Sequence, residues 1–246
     1  KGYMIKLPKG WSEISAGLFS LKNPNPHGVP WNAWIHEPIE SNKFLIVSWR
    51  MSGSEFCKEF IRENYPSTNN QNNWPKTHII LEDEVTRLLI DNANTKVFIS
   101  ISDPREVAMN LVYFDNGLHL HAADYETDNY IVNSTNTTEF FKEIVNKQID
   151  LVNHYKKVFG DNCLVLKYED ILWNQNEVHN KVSHFLQEEP LRVDGSEKYK
   201  SSIYKNVGDF NQFFDEDVLD KHYDEYKWFY EQWGYPKEGL LLNKYK

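Results

Sequence analysis

A chain of 246 residues is long enough to bury one large core, and its 40% apolar and 15% aromatic content excludes a wholly disordered polymer. The net charge of −9 argues against a nucleic-acid-binding surface. Two cysteines, Cys57 and Cys163, and no run near the ~18 apolar residues of a membrane span lead us to expect a reduced, cytoplasmic protein without disulfides or a membrane partner.

Residues 1–43 hold Pro8, Pro24, Pro26, Pro30 and Pro38 with Trp11, Trp31 and Trp34, and no sustained period. They read as an irregular wrapping segment on a single domain covering 1–246. From Phe44 onward, apolar runs at 44–49, 77–80, 96–101 and 163–167 read as strands. They alternate with helical spacing at 55–64, 82–91, 104–114, 138–159, 176–186 and 216–233. That alternation predicts an α/β fold with a central parallel sheet flanked by helices. Within 138–159 the apolar stripe is Phe140, Phe141, Ile144, Val145, Ile149, Val152 and Tyr155. Asp103-Pro104 is a helix start, Asp as N-cap and Pro at the first helical position. The acidic run Asp215-Glu216-Asp217 reads as first-turn helix charge. Residues 64–75, rich in asparagine, read as a polar loop.

Four pieces carry chemistry. The first is the run 44–49 into Arg50, Met51, Ser52, Gly53 and Ser54, then a helix; strand, small-residue turn, helix aims free N–H groups at an anion. It lacks the Walker spacing and its lysine, so ATP-dependent phosphoryl transfer is disfavoured. An ordinary turn with Ser54 as N-cap is the bland alternative. In the second piece, Lys76 and His78 are two apart and share one face of a strand, suiting charge stabilisation and general-base work. The third is the strand 96–101 running into Ser102, Asp103, Pro104 and Arg105, whose N–H groups would meet a second phosphate. The fourth is the strand 163–167 ending at Tyr168, an aromatic placed to stack on a base. Elsewhere, His119, His121 and Asp124 have strand-like metal-ligand spacing but no evident fourth ligand, so no metal is expected. Trp31, Trp34, Trp49 and Trp74 are either acceptor-pocket lining or packing.

The order of these pieces resembles the cytosolic-type sulfotransferase family: a phosphate-binding turn, Lys76-Thr77-His78, a strand followed by Asp103-Pro104-Arg105-Glu106-Val107-Ala108, and Lys167-Tyr168-Glu169-Asp170. A fifth piece, Val207-Gly208-Asp209-Phe210, is similar to that family's C-terminal segment, so the resemblance spans about 44–214. It implies a fold like that of the P-loop nucleoside-triphosphate hydrolases. The implied reaction moves a sulfonate group from 3′-phosphoadenosine-5′-phosphosulfate (PAPS) to a hydroxyl or amine of a small-molecule acceptor, in line and without a metal. By position His78 would be the base, and Lys76 and Arg50 would balance charge. Ser52, Gly53 and Ser54 would cradle the 5′-phosphate, and Phe56 and Tyr168 would contact adenine. Ser102, Arg105, Asn110 and Lys205 would lie near the 3′-phosphate. The chain departs from the pattern at Met51, Ser102 and Asn110 and at Ile203-Tyr204-Lys205, where the family carries phosphate-binding groups. A non-catalytic relative that binds a nucleotide or a partner is therefore the second expectation.

Overall fold

A computed structural model describes residues 11–15, 18–21, 33–36, 43–49, 52–69, 74, 76–78, 80, 94–115, 134–191 and 210–239. The seven strands are β1 (Trp11–Ser15), β2 (Leu18–Leu21), β3 (Ala33–His36), β4 (Phe44–Ser48), β5 (Lys76–Thr77), β6 (Lys96–Ile101) and β7 (Cys163–Lys167). They form one sheet in the order β1-β2-β3-β5-β4-β6-β7. Strands β5, β4, β6 and β7 run parallel, while β1, β2 and β3 join antiparallel at the β5 edge. The segment read as irregular thus supplies three short strands. Ala33 pairs with Thr77 and Trp34 with Lys76, and a period broken by Pro and Gly concealed this.

The helices are α1 (Ser54–Asn64), α2 (Pro104–Asp115), α3 (Ser134–Phe159), α4 (Tyr168–Trp173), α5 (Gln175–Leu186), α6 (Phe210–Phe213), α7 (Glu216–Glu225) and α8 (Lys227–Trp233). Two sequence readings change. The span 216–233 is not one helix, because Tyr226 leaves helical geometry (φ −111°, ψ 23°) between α7 and α8. Strand β5 ends at Thr77, so His78 stands in a bend beyond it. The helix expected at 82–91, Met51, Arg50, Lys205, Trp31, the His119–His121–Asp124 group and the segment 207–209 lie outside the described residues. Among the described residues no helix is long and apolar enough to cross a membrane.

Strand alternation decides the layers. Phe44, Ile46 and Phe98 face α1, α4 and α5, packing on Cys57, Phe60, Ile61, Tyr168, Ile171, Val178 and Val182. Leu45, Val47, Val97 and Ile99 face the other way onto Leu151, Val152 and Tyr155 of α3. All of β4 is buried, as a central parallel strand requires. Trp74 stacks between Phe44 and Phe98, with ring centroids 4.8 and 5.5 Å away. It is a core residue, which settles the packing reading for that tryptophan. From β4 the chain crosses to β5 on one side, whereas β6 leads to β7 on the other. The crevice where the connections diverge, at the C-terminal ends of β4 and β6, is where ligands bind in open α/β sheets.

Candidate functional site

The apolar register of the sheet stops at this crevice. Ser48 and Ser100 are paired across β4 and β6, in line with Ile46 and Phe98, and both are buried. Two serines where each strand would otherwise place another core residue mark the change from packing to polar chemistry. Each takes a partner from a neighbouring loop. The Ser100 hydroxyl donates to the Ser52 carbonyl at 2.5 Å. Ser48 meets His78, whose Nδ1 lies 2.7 Å from the Ser48 carbonyl and 3.2 Å from its hydroxyl. A carbonyl only accepts, so Nδ1 carries the proton and the neutral ring keeps its lone pair on Nε2. That is the tautomer a general base needs.

The turn after β4 is closed by Ser52 N–H donating to the Trp49 carbonyl at 3.2 Å. Gly53 then adopts φ 77°, ψ 24° and serves as the N-cap of α1. Ser54 is the first helical residue, not the cap. The first intrahelical bond runs from Cys57 N–H to the Gly53 carbonyl at 3.0 Å, so the N–H groups of Ser54, Glu55 and Phe56 have no intrahelical acceptor. Two residues ahead of the helix, the Ser52 hydroxyl is fully buried with no hydrogen-bond partner among the described residues. Such a group calls for an explanation, because burying it unpaired costs ~1–3 kcal/mol.

Lys76 reaches the same corner. Its Nζ lies 2.6 Å from Glu55 Oε1, in the first turn of α1, and Lys58 shares that carboxylate. Partial burial pushes the Glu55 carboxyl up, but the two ammonium groups outweigh it and hold it below its ordinary value. The structure therefore brings together Ser52, Gly53, Ser54, Lys76 and His78. Phe56 and Tyr168 join them edge to face, with centroids 5.7 Å apart.

The second helix start is arranged differently. Asp103 caps α2, its Oδ1 accepting the Arg105 N–H at 3.0 Å, as the sequence predicts. Ser102 N–H donates to Gln148 Oε1 at 2.9 Å. Glu169 Oε1 accepts both the Ser102 hydroxyl, at 2.6 Å, and the Asp103 N–H, at 2.8 Å. Its other oxygen accepts the Tyr235 hydroxyl at 3.1 Å. Burial pushes the Glu169 carboxyl up to about 7 against these donors. Desolvation also lifts the Tyr235 hydroxyl well above its ordinary value.

The expectation that Ser102 and Arg105 would face a phosphate is corrected here. Arg105 is fully buried, donating from Nε and Nη2 to the two Asp103 oxygens at 2.9 and 2.6 Å. Its remaining bonds go to the carbonyls of Pro236 and Lys237, at 2.8 and 2.7 Å. The guanidinium is also packed over the rings of Phe210 and Tyr230. It is a clamp on the C-terminal segment. Ser102 has its hydroxyl and N–H committed inside the protein, and Asn110 is buried within α2.

Ser48, Ser100, Glu169 and Gln148 were missed by sequence reasoning. The serines had a signal, a polar residue at the same step of two apolar strands; the other two had none. Away from this corner, an open groove of about 650 Å³ runs along α5, lined by Asn176, His179, Ser183, Gln187 and Glu188. It shares no residue with the β4–α1 corner. Among the described residues no group of three or more His, Cys, Asp or Glu side chains is placed to hold a metal ion. Comparisons with family models, curated proteins and solved structures return no match to this chain.

Proposed function

We propose that this protein transfers a sulfonate group from an adenylyl sulfate donor of the PAPS type to a hydroxyl or amine of a small acceptor. The observation that carries the reading is the His78 ring held by the Ser48 carbonyl at the end of β4, beside the uncapped start of α1. The donor's 5′-phosphate would lie against the N–H groups of Ser54, Glu55 and Phe56, where the helix dipole favours an anion. The acceptor oxygen attacks sulfur, the bond from sulfur to the bridging phosphate oxygen breaks, and the acceptor proton passes to His78 Nε2. The released nucleoside phosphate carries away the electron pair. Lys76 offsets charge on the migrating group, and its tether to Glu55 fixes it without a conformational search.

The test is transfer of labelled sulfonate from PAPS, and from adenosine 5′-phosphosulfate, to a panel of phenols, alcohols and amines. His78→Ala is expected to lower kcat by about 10²–10⁴-fold, the usual worth of a positioned base. Undiminished transfer by that variant would remove His78 from the mechanism. One observation favours a second reading: Arg105 and Ser102 are consumed by internal partners. On that reading the protein binds a nucleotide or partner without turnover, and its signature is nucleotide binding with no transfer to any acceptor.

A further inference from the structure

Two helices start at the crevice, and the chain fills one start while leaving the other. At α1 the N-cap is a glycine, which offers no capping side chain, and the buried Ser52 hydroxyl has no partner among the described residues. At α2 the equivalent donors are spent. Ser102 N–H goes to Gln148, whose Nε2 returns a bond to the Ser102 carbonyl at 3.0 Å. The Ser102 hydroxyl and Asp103 N–H both go to Glu169. A carboxyl group of the protein thus sits where an external anion would otherwise be received. The neighbouring charges oppose a second anion. Asp103 is buried beside Glu169, and Arg105 is already paired with Asp103 and two carbonyls. Tyr235, from the segment after α8, closes the far side of Glu169.

We infer that the crevice receives one anionic centre, at α1, and excludes a second at α2, so that a nucleoside 5′-phosphate binds more tightly than the same nucleoside carrying an added 3′-phosphate. Glu169 is the specificity-determining residue. This rests on the nucleotide reading proposed above and sharpens it: the natural donor is a nucleoside 5′-phosphosulfate with its ribose 3′ position unphosphorylated. The physical cause is occupancy. A phosphate could gain the α2 donors only by displacing a carboxyl held by three hydrogen bonds, and it would then face Asp103 with no cation to spare.

Calorimetric titration of the full chain with adenosine 5′-monophosphate and with adenosine 3′,5′-bisphosphate tests this. The expected result is measurable binding of the monophosphate and at least tenfold weaker binding of the bisphosphate, with Glu169→Gln raising the affinity for the bisphosphate. Equal or tighter binding of the bisphosphate by the parent chain overturns the inference and leaves the nucleotide reading standing. Binding of neither compound overturns both.

Discussion

The Tyr168 ring lies directly against the backbone of Gly53: a Cβ placed on residue 53 would come within 2.2 Å of Tyr168 Cδ2. An aromatic at the end of β7 therefore presses on the turn after β4 and holds the start of α1 in place. Gly53 also sits at φ 77°, a conformation costing other residues ~1–2 kcal/mol. Gly53→Ala is expected to destabilise the fold by more than that strain alone, about 2–4 kcal/mol in urea denaturation. In the double variant with Tyr168→Ala the clash is gone, so the combined loss should fall short of the sum of the single losses. Additive losses would mean that the ring does not bear on the turn.

Glu169 makes a pH-dependent prediction. Its carboxyl is held at about 7 in the folded state against an ordinary 4.5. Between those values the unfolded chain has lost the proton and the folded chain retains it, so this group's contribution to stability falls as pH rises from 4.5 through 7. The loss is of the order of 3 kcal/mol. Glu169→Gln keeps the shape and removes the titration. The stability of this variant relative to the parent should rise across that window and level off above it. A constant difference from pH 4 to pH 8 would contradict the buried, proton-retaining carboxyl.

His222 makes the opposite one. Its ring is buried, stacked on Phe141 at 4.5 Å, and both nitrogens lack partners among the described residues. Burial, reinforced by the Arg105 charge, pushes its pKa down to about 3 from 6.5. Below 6.5 the unfolded chain takes up a proton that the folded chain refuses, so stability is lost as pH falls toward 3. His222→Phe suits the surrounding rings of Phe141, Tyr226 and Tyr230. Thermal unfolding of that variant should show a shallower decline than the parent between pH 6.5 and 4. Parallel declines would refute the assignment.

How much of this was legible in the chain can be seen residue by residue. The buried strands at 44–48 and 96–101 announce themselves by unbroken apolar character, and Asp103-Pro104 announces the start of α2. Lys76 and His78 were legible as a pair, because a two-residue spacing in extended chain is local geometry. Their partners were not. Ser48 is 30 residues from His78, and the Pro236 carbonyl is 131 from Arg105. Nothing local in Glu169 says that it will cap a helix 66 positions earlier. The cation that resembled a phosphate ligand became a structural clamp for the same reason: tertiary contacts, absent from any local pattern, supplied its acceptors first.

Arg105 offers a direct check of that clamp. Arg105→Met leaves Asp103 buried and uncompensated, which costs ~3–5 kcal/mol when a buried pair is broken. It also frees the carbonyls of Pro236 and Lys237. Hydrogen exchange at the Gly239 amide, which donates to the Pro236 carbonyl at 3.0 Å, should accelerate along with the loss of stability. Unchanged exchange there would show that the C-terminal segment is held by something else.

The donor site itself is tested most directly by following backbone amides and the His78 ring by NMR while adenosine 5′-phosphosulfate is added. The amides of Ser54, Glu55 and Phe56 should shift together with the His78 ring, saturating at one equivalent. A silent α1 start, or shifts confined to the groove along α5, would contradict the account.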